Sequence, residues 1–179
     1  VRQVGDEVIK KQFVDFHALT HSLDINPINF TPHQIKQNKR LKPCYIFDID
    51  GTLAHMGGKR SPYEWGKVGG DSVDHSVEVI TDLINNDPAG EYSTIICTDR
   101  DGISLYETEK WLDKNDIQYD GIHIREKGDS RPDWVVKEEM WREISKKYYI
   151  VGIFDDRLQV VRRARALGFK VLNVEYNNF

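Results

Sequence analysis

Long apolar runs are missing from this 179-residue chain. Nothing in it approaches the roughly 20 consecutive apolar residues that a helix needs to cross a bilayer, and no basic, apolar and small-residue succession marks a signal peptide. Cysteine is scarce, with two in the whole chain. Cys44 and Cys97 both sit inside apolar strand candidates, so core packing is preferred to a disulfide or a metal site, and a reducing compartment is inferred. An excess of positive charge is also missing, since the net charge is −4. That argues against coating long nucleic acid by bulk electrostatics, while local basic residues could still grip an end. The phosphate loop Gly-x-x-x-x-Gly-Lys-Ser/Thr does not occur, and Gly57-Gly58-Lys59-Arg60 lacks its spacing.

What is present is the composition of a soluble globular protein, 39% hydrophobic and 30% charged. The length fits one domain plus a short appendage. Val1 stands where Met would begin a free-standing chain, which suggests an excised fragment. Ile9, Phe13 and Phe16 recur at helical spacing, so an amphipathic helix is expected from Asp6 to about Ser22. His17 and His21 are four apart on it and could bind metal, although no third ligand suggests itself. Asp24 to Pro43 reads as an irregular linker, with Pro27, Pro32, Asn29 and Asn38 among basic residues. Lys36, Lys39, Arg40 and Lys42 read first as a solvated face and second as a contact to a nucleic-acid backbone.

From Cys44 onward the pattern changes. Strands are expected at Cys44–Ile49, Ser93–Cys97, Gly121–Ile124, Tyr149–Phe154 and Lys170–Val174. Helices are expected at about 72–86, 104–115, 133–147 and 158–167, the last closed by Gly168. Between Ala54 and Gly70, five glycines with Lys59, Arg60, Tyr63 and Trp65 read as a mobile flap or an ordinary polar loop. Strands alternating with helices at this period predict an α/β fold, a doubly wound, mostly parallel five-stranded sheet. Ligands of such sheets gather beyond the carboxyl ends of the strands. The strand ends carry Asp48 and Asp50, then Thr98 and Arg100, then Arg125, then Asp155 and Asp156. An ionised carboxylate taken out of water is costly, and a divalent cation, most simply Mg²⁺, would compensate it. A carboxylate beside such an ion can also act as a nucleophile.

Asp48-Ile49-Asp50-Gly51-Thr52 resembles the first motif of the haloacid dehalogenase superfamily of phosphotransferases. With the later motifs, residues from about Lys42 to Phe179 resemble the 3′-phosphatase half of bacteriophage-type polynucleotide kinase-phosphatases. Val4 to Phe13 more weakly resembles the tail of their kinase half. The resemblance implies a Rossmann-like, haloacid dehalogenase-type domain over 43–179, preceded by a helix and linker over 1–42. It assigns Asp48 to in-line attack on phosphorus and Asp50 to acid-base work, with a raised proton affinity from nearby negative charge. Asp155 and Asp156 resemble the acidic fourth motif that joins Asp48 in holding Mg²⁺, with Asp156 the better direct ligand and Asp50 also counted with the metal site. Alone, the same pair would read as a helix start.

Thr98 would bind phosphate and Arg100 would fork two of its oxygens, but Asp99 stands where the resemblance leads to glycine. Asp133-Trp134-Val135-Val136-Lys137 resembles the third motif, with Lys137 neutralising the nucleophile and Asp133 fixing Lys137. Arg125, Arg131 and Arg157 are further candidates for substrate phosphates. No large cap domain fits in the gaps between elements, so an open site could admit a polymer end, with Trp65 or Tyr63 against a terminal base.

The resemblance therefore implies a Mg²⁺-dependent polynucleotide 3′-phosphatase for end repair, with nucleic-acid 3′ ends as partners. A kinase domain outside this chain is a further partner, and a homo-oligomer is left open. The compartment would be the cytoplasm, that of the host cell if phage-encoded. The rivals are a capless phosphatase of a small metabolite or phosphoprotein, and a non-catalytic module that binds nucleic-acid ends.

Overall fold

A computed structural model of the protein describes residues 34–177. The helix expected near the amino terminus, with His17 and His21, lies outside the described residues. β1 (Lys42–Phe47) is the middle strand of a five-stranded sheet. After it come a short antiparallel pair, β2 (Ala54–His55) and β3 (Ser72–Val73), then α1 (His75–Asn85) and β4 (Ser93–Asp101). The chain continues through α2 (Leu105–Lys114), β5 (Gly121–Arg125), α3 (Asp133–Lys147), β6 (Tyr148–Arg157), α4 (Leu158–Ala166) and β7 (Val171–Asn177).

The large sheet has the order β5-β4-β1-β6-β7, and each of its pairings is parallel. From β1 the chain first builds outward through β4 and β5, then returns to lay β6 on the other side. The order therefore reverses between β1 and β6, and the crevice beyond the carboxyl ends of these two strands is the switch point. Asp48 follows β1 and Asp155-Asp156 lie in β6, both at that crevice.

Period-two alternation assigns each side chain of β1 to one face. Cys44 and Ile46 pack with Val136, Met140, Trp141 and Ile144 of α3 and Val160, Val161 and Ala164 of α4. Phe47 and Ile49 face the opposite layer with Val77 of α1 and Trp111 and Leu112 of α2. Phe47 is paired in register with Phe154 of β6, their rings stacked at 4.5 Å. Both faces are covered, which is why the strands read as nearly continuous apolar runs. The two cysteines lie in these cores as free thiols.

Several boundaries differ from the sequence reading. The helix expected from about residue 72 begins at His75, because the Asp74 carboxylate accepts hydrogen bonds from the Ser76 and Val77 amides and Ser72–Val73 pairs as β3. β4 and β6 run on past Cys97 and Phe154 into the acidic and basic residues at their ends. Residues 34–41, read as linker, pack on this unit. Ile35 joins one core, and the Gln37 side chain brackets Ile150 by donating to its carbonyl (3.0 Å) and accepting from its amide (2.6 Å). Ile150 lies ahead of the point where β7 begins to pair with β6, so the amide of Gln37 stands in for a missing strand. Lys39, Arg40 and Lys42 consequently lie at the amino end of β1, opposite the crevice.

Among the described residues, only the β2–β3 pair, one 3₁₀ turn (Trp65–Gly70) and α1 lie between β1 and β4, and no helix here is long and apolar enough to cross a membrane. Segment 54–70 is thus an ordered flap with a paired base. Val68 and Arg60 are buried within it, and Tyr63 stands in solvent.

Candidate active site

The turn after β1 is built on glycine. Gly51 has φ +86°, and a Cβ added to it would lie 2.3 Å from Oδ2 of Asp156. Only glycine permits this approach. Thr52, also buried, donates to Oδ1 of Asp156 at 3.4 Å. Oxygens of Asp48, Asp155 and Asp156 lie within 4.8 Å of one another, and all three residues are buried. Residues 48 and 156, about a hundred positions apart in the chain, are close enough to share one ion.

Lys137 of α3 enters this cluster from the side. Its Nζ donates to Oδ2 of Asp155 at 2.7 Å and lies 2.9 Å from Oδ1 of Asp48. The second approach is off the hydrogen-bonding direction, so Oδ1 of Asp48, although buried, accepts no hydrogen bond among the described residues. Burial would pull the Lys137 ammonium down, but Asp155, Asp48 and Asp99 together hold its pKa well above the ordinary lysine value. Burial pushes the Asp48 carboxyl well up, opposed by Lys137 and reinforced by Asp155, Asp99 and Asp156. Asp155 is likewise raised, by burial first.

These residues fit a divalent cation. Three hard oxygen donors converge, one buried acceptor is unserved, and the local acids outnumber the ammonium among them. Asp155 already spends one oxygen on Lys137 and the other on the Arg157 amide (3.0 Å), which leaves Asp48 and Asp156 as the better placed ligands.

Asp50 is not in that cluster, contrary to the expectation that it serves the metal site. Its carboxylate is turned toward two guanidinium groups, accepting from Nε and Nη2 of Arg100 (both 2.8 Å) and from Nη2 of Arg60 (2.8 Å). The negative surroundings expected of it are replaced by positive ones. Arg100 is correspondingly not a free fork for phosphate. It is fully buried, and also donates to Asp71 and Thr108. Thr98 is buried at the end of the apolar run of β4, where its hydroxyl accepts from the Arg100 amide at 3.3 Å.

Asp133 does not fix Lys137; Asp155 does. Asp133 instead accepts from Arg125 at 2.5 Å and pairs with Arg157. An N-terminal helix position points the Asp133 side chain outward along the pocket wall, whereas Lys137 one turn on reaches the buried acids. Arg125 is consumed by the loop that follows β5, donating to the carbonyls of Asp99, Asp129 and Arg131. Gly102 lets that loop close, since a Cβ there would meet the Arg125 carbonyl at 2.7 Å. Arg131 is on the surface, paired with Asp129 and Glu139. Arg157 is partly exposed and pairs with Asp99 at 3.2 Å. Asp99 therefore faces the pocket. Burial opposes its ionisation, but Lys137, Arg157 and Arg125 outweigh that and hold it below the usual carboxylate range.

A cavity of about 750 Å³ is lined by Asp50, Asp99, Asp101, Arg125, Asp133 and Arg157, by residues 128–131, and by Met56, Pro62, Tyr63 and Trp65 of the flap. Asp48, Lys137, Asp155 and Asp156 are buried next to this lining in the chain, Asp48 two residues from Asp50 and Asp156 beside Arg157.

Two members of the site carried no local signal in the sequence. Arg60, inside the flap, and Asp71, just beyond it, form a buried pair, with Arg60 Nε and Nη2 donating to Asp71 at 2.8 and 2.7 Å. Lys59, Glu64 and Lys67 carry the same charges nearby, so the sequence does not single this pair out.

A parallel sheet of this order with acids at its switch point and a lysine reaching them from α3 defines the class, a phosphatase of the haloacid dehalogenase type. A class C acid phosphatase from Bacillus anthracis shares the fold, at 17% identity and a TM-score of 0.50 over 97% of this chain and 81% of that one. More narrowly, residues 42–179 match the family model described as the polynucleotide kinase PNKP phosphatase domain, and the chain belongs to that family. It is similar to a chain of the Pnkp1/Rnl/Hen1 RNA repair complex, with 30% identity and a TM-score of 0.76 over 82% of this chain and 46% of that chain. A "Putative bifunctional polynucleotide kinase/RNA ligase" of Autographa californica nuclear polyhedrosis virus is 28% identical over 162 residues, 89% of this chain and 22% of the viral protein. The chain thus spans half or less of the length of these two relatives.

Proposed function

We propose that this domain is a divalent-cation-dependent, most simply Mg²⁺-dependent, polynucleotide 3′-phosphatase acting through an aspartyl-phosphate on Asp48. The observation that carries the reading is the convergence of Asp48, Asp155, Asp156 and Lys137 at the switch point of the sheet, under a flap instead of a cap. An oxygen of Asp48 attacks phosphorus in line, and the bond to the ribose 3′ oxygen breaks as Asp50 gives that oxygen a proton. Water then attacks the same phosphorus, losing its proton to Asp50, and the bond to Asp48 breaks to release phosphate. Lys137 supplies positive charge beside the nucleophile throughout. Asp48 and Asp156 would hold the cation, whose charge favours ionised Asp48 and offsets the anionic phosphoryl oxygens.

Asp50 lines the cavity with its orientation fixed by Arg60 and Arg100, and the negative charge of a bound phosphate monoester would offset these two positive partners when Asp50 donates. Polynucleotide ends are favoured as substrate by the family and by the RNA repair complex named for one relative. By the same likeness, a kinase or ligase domain elsewhere in the full-length protein would complete the repair of the end.

The test compares phosphate release from a 3′-phosphorylated oligonucleotide, its 5′-phosphorylated counterpart and a nucleoside monophosphate, with Mg²⁺ and after chelation. Release from the 3′ end alone, lost on chelation and in Asp48→Asn, is expected. Equal turnover of the three substrates would replace the reading with a general phosphatase, and full activity of Asp48→Asn would remove the nucleophile.

A further inference from the structure

The cavity lining is chemically mixed, and the phosphate chemistry uses only part of it. Besides acids and guanidinium groups it includes Met56, Pro62, Tyr63 and Trp65 of the flap, none of which can serve phosphoryl transfer. Tyr63 is 81% exposed, the most exposed large apolar side chain among the described residues. Its ring stands edge-on to Trp65, with centroids 6.3 Å apart and planes at 87°. Tyr63 is thus braced at one edge while its surroundings leave it open to a partner. Its backbone is fixed as well. Arg60, buried, donates through Nη1 to the carbonyls of Ser61 and Pro62 at 3.2 and 3.1 Å, and through Nη2 to Asp50. One guanidinium therefore sets both an acid of the cavity lining and the segment that presents Tyr63.

The geometry points to Tyr63, backed by Trp65, as the stacking platform for the nucleobase of the nucleotide that carries the scissile phosphate. This rests on the reading of the domain as a polynucleotide end phosphatase and deepens it by assigning the base-recognition subsite. The occupant follows from continuity: Asp50 and both rings line the same cavity. A phosphate group alone would leave most of about 750 Å³ empty, whereas a nucleotide has an anionic end for the charged residues and a flat apolar end for the rings. Stacking on an aromatic face needs no particular base, which suits an enzyme that must accept ends of any sequence. The tyrosine is a specificity-determining residue in this scheme and takes no part in bond making.

The decisive comparison uses Tyr63→Ala and Tyr63→Phe with three substrates. These are a 3′-phosphorylated oligonucleotide, the same oligonucleotide with a base-free terminal sugar, and β-glycerol phosphate. Because Tyr63 is exposed, neither change threatens the fold. Tyr63→Ala should raise KM for the base-bearing end about tenfold, the size of one lost stack, with kcat nearly unchanged. It should leave the base-free end and β-glycerol phosphate unaffected, and Tyr63→Phe should behave as the parent. An equal effect of Tyr63→Ala on base-bearing and base-free ends, or no effect on either, would overturn the base subsite while leaving end hydrolysis standing. A parent protein that hydrolyses β-glycerol phosphate but neither oligonucleotide would overturn the end-phosphatase reading, and this subsite with it.

Discussion

Arg60, on the flap, and Asp50, at the end of the turn from β1, meet at 2.8 Å between Nη2 and Oδ1. The side chain of Arg60 is 1% exposed and that of Asp50 17%, so the contact is sheltered from water on the flap side and open to the cavity on the other. A flap residue thereby helps aim an acid of the site.

Arg60→Ala should lower kcat by about a hundredfold, the scale of a misplaced acid-base group. The cut would also leave Asp71 with one guanidinium partner instead of two, so thermal unfolding must be measured beside the kinetics. Arg60→Lys restores a charge without the planar fork and should recover stability more than rate. Recovery of full rate by lysine would show that charge, not aim, is what Arg60 contributes.

Asp99 puts a fixed negative charge where an incoming phosphate must approach Arg157. Asp99→Gly leaves Arg157 paired with Asp133 alone and removes that repulsion, so KM for phosphate monoesters should fall several-fold and inhibition by inorganic phosphate should tighten in parallel. Steady-state kinetics with phosphate as inhibitor reads both. A rise in KM would instead assign Asp99 to holding Arg157 in its working position.

Asp74 caps α1 and lies 2.8 Å from Nε2 of His55, across the base of the flap. The hydrogen bond from His55, chiefly, and those from the Val77 and Ser76 amides hold its carboxyl below the ordinary 3.8, against a smaller upward push from burial. Its folded value is depressed, so the stabilisation is complete above the unfolded value and fades as pH falls through the folded one. Asp74→Ala should cost about 1 kcal/mol near neutral pH. Urea midpoints of the two proteins should converge as the pH drops below about 4.

The sheet and the buried acids were legible because each leaves a mark along the chain. An apolar run buried on both faces announces a parallel strand, and Asp48, Asp155 and Asp156 interrupt such runs at their ends. Lys137 was legible as one helical turn past Asp133 and as a positive charge beside Asp48, yet its hydrogen-bond partner, Asp155 and not Asp133, was not. A turn of helix is enough to send Asp133 to the pocket wall and Lys137 into the acids, and the i, i+4 spacing alone does not say which neighbour each finds. Arg100 was misassigned for a related reason. A strand-end arginine can face either the ligand or the layer beneath, and Asp71, which draws it inward at 3.0 Å, lies 29 residues away. Arg60 was read only as a flap residue, because its partners Asp50 and Asp71 are ten and eleven positions away and nothing in the local pattern links them.

The bracket that Gln37 places around Ile150 bears on where this domain can be cut. A shortened version starting at Lys42 would include the whole sheet and every acid of the pocket, yet it would discard Ile35 from the core and expose the Ile150 amide and carbonyl on a strand that carries Asp155 and Asp156. Starting at Gln34 keeps that plug, and with it a covered edge beside the most important strand of the site.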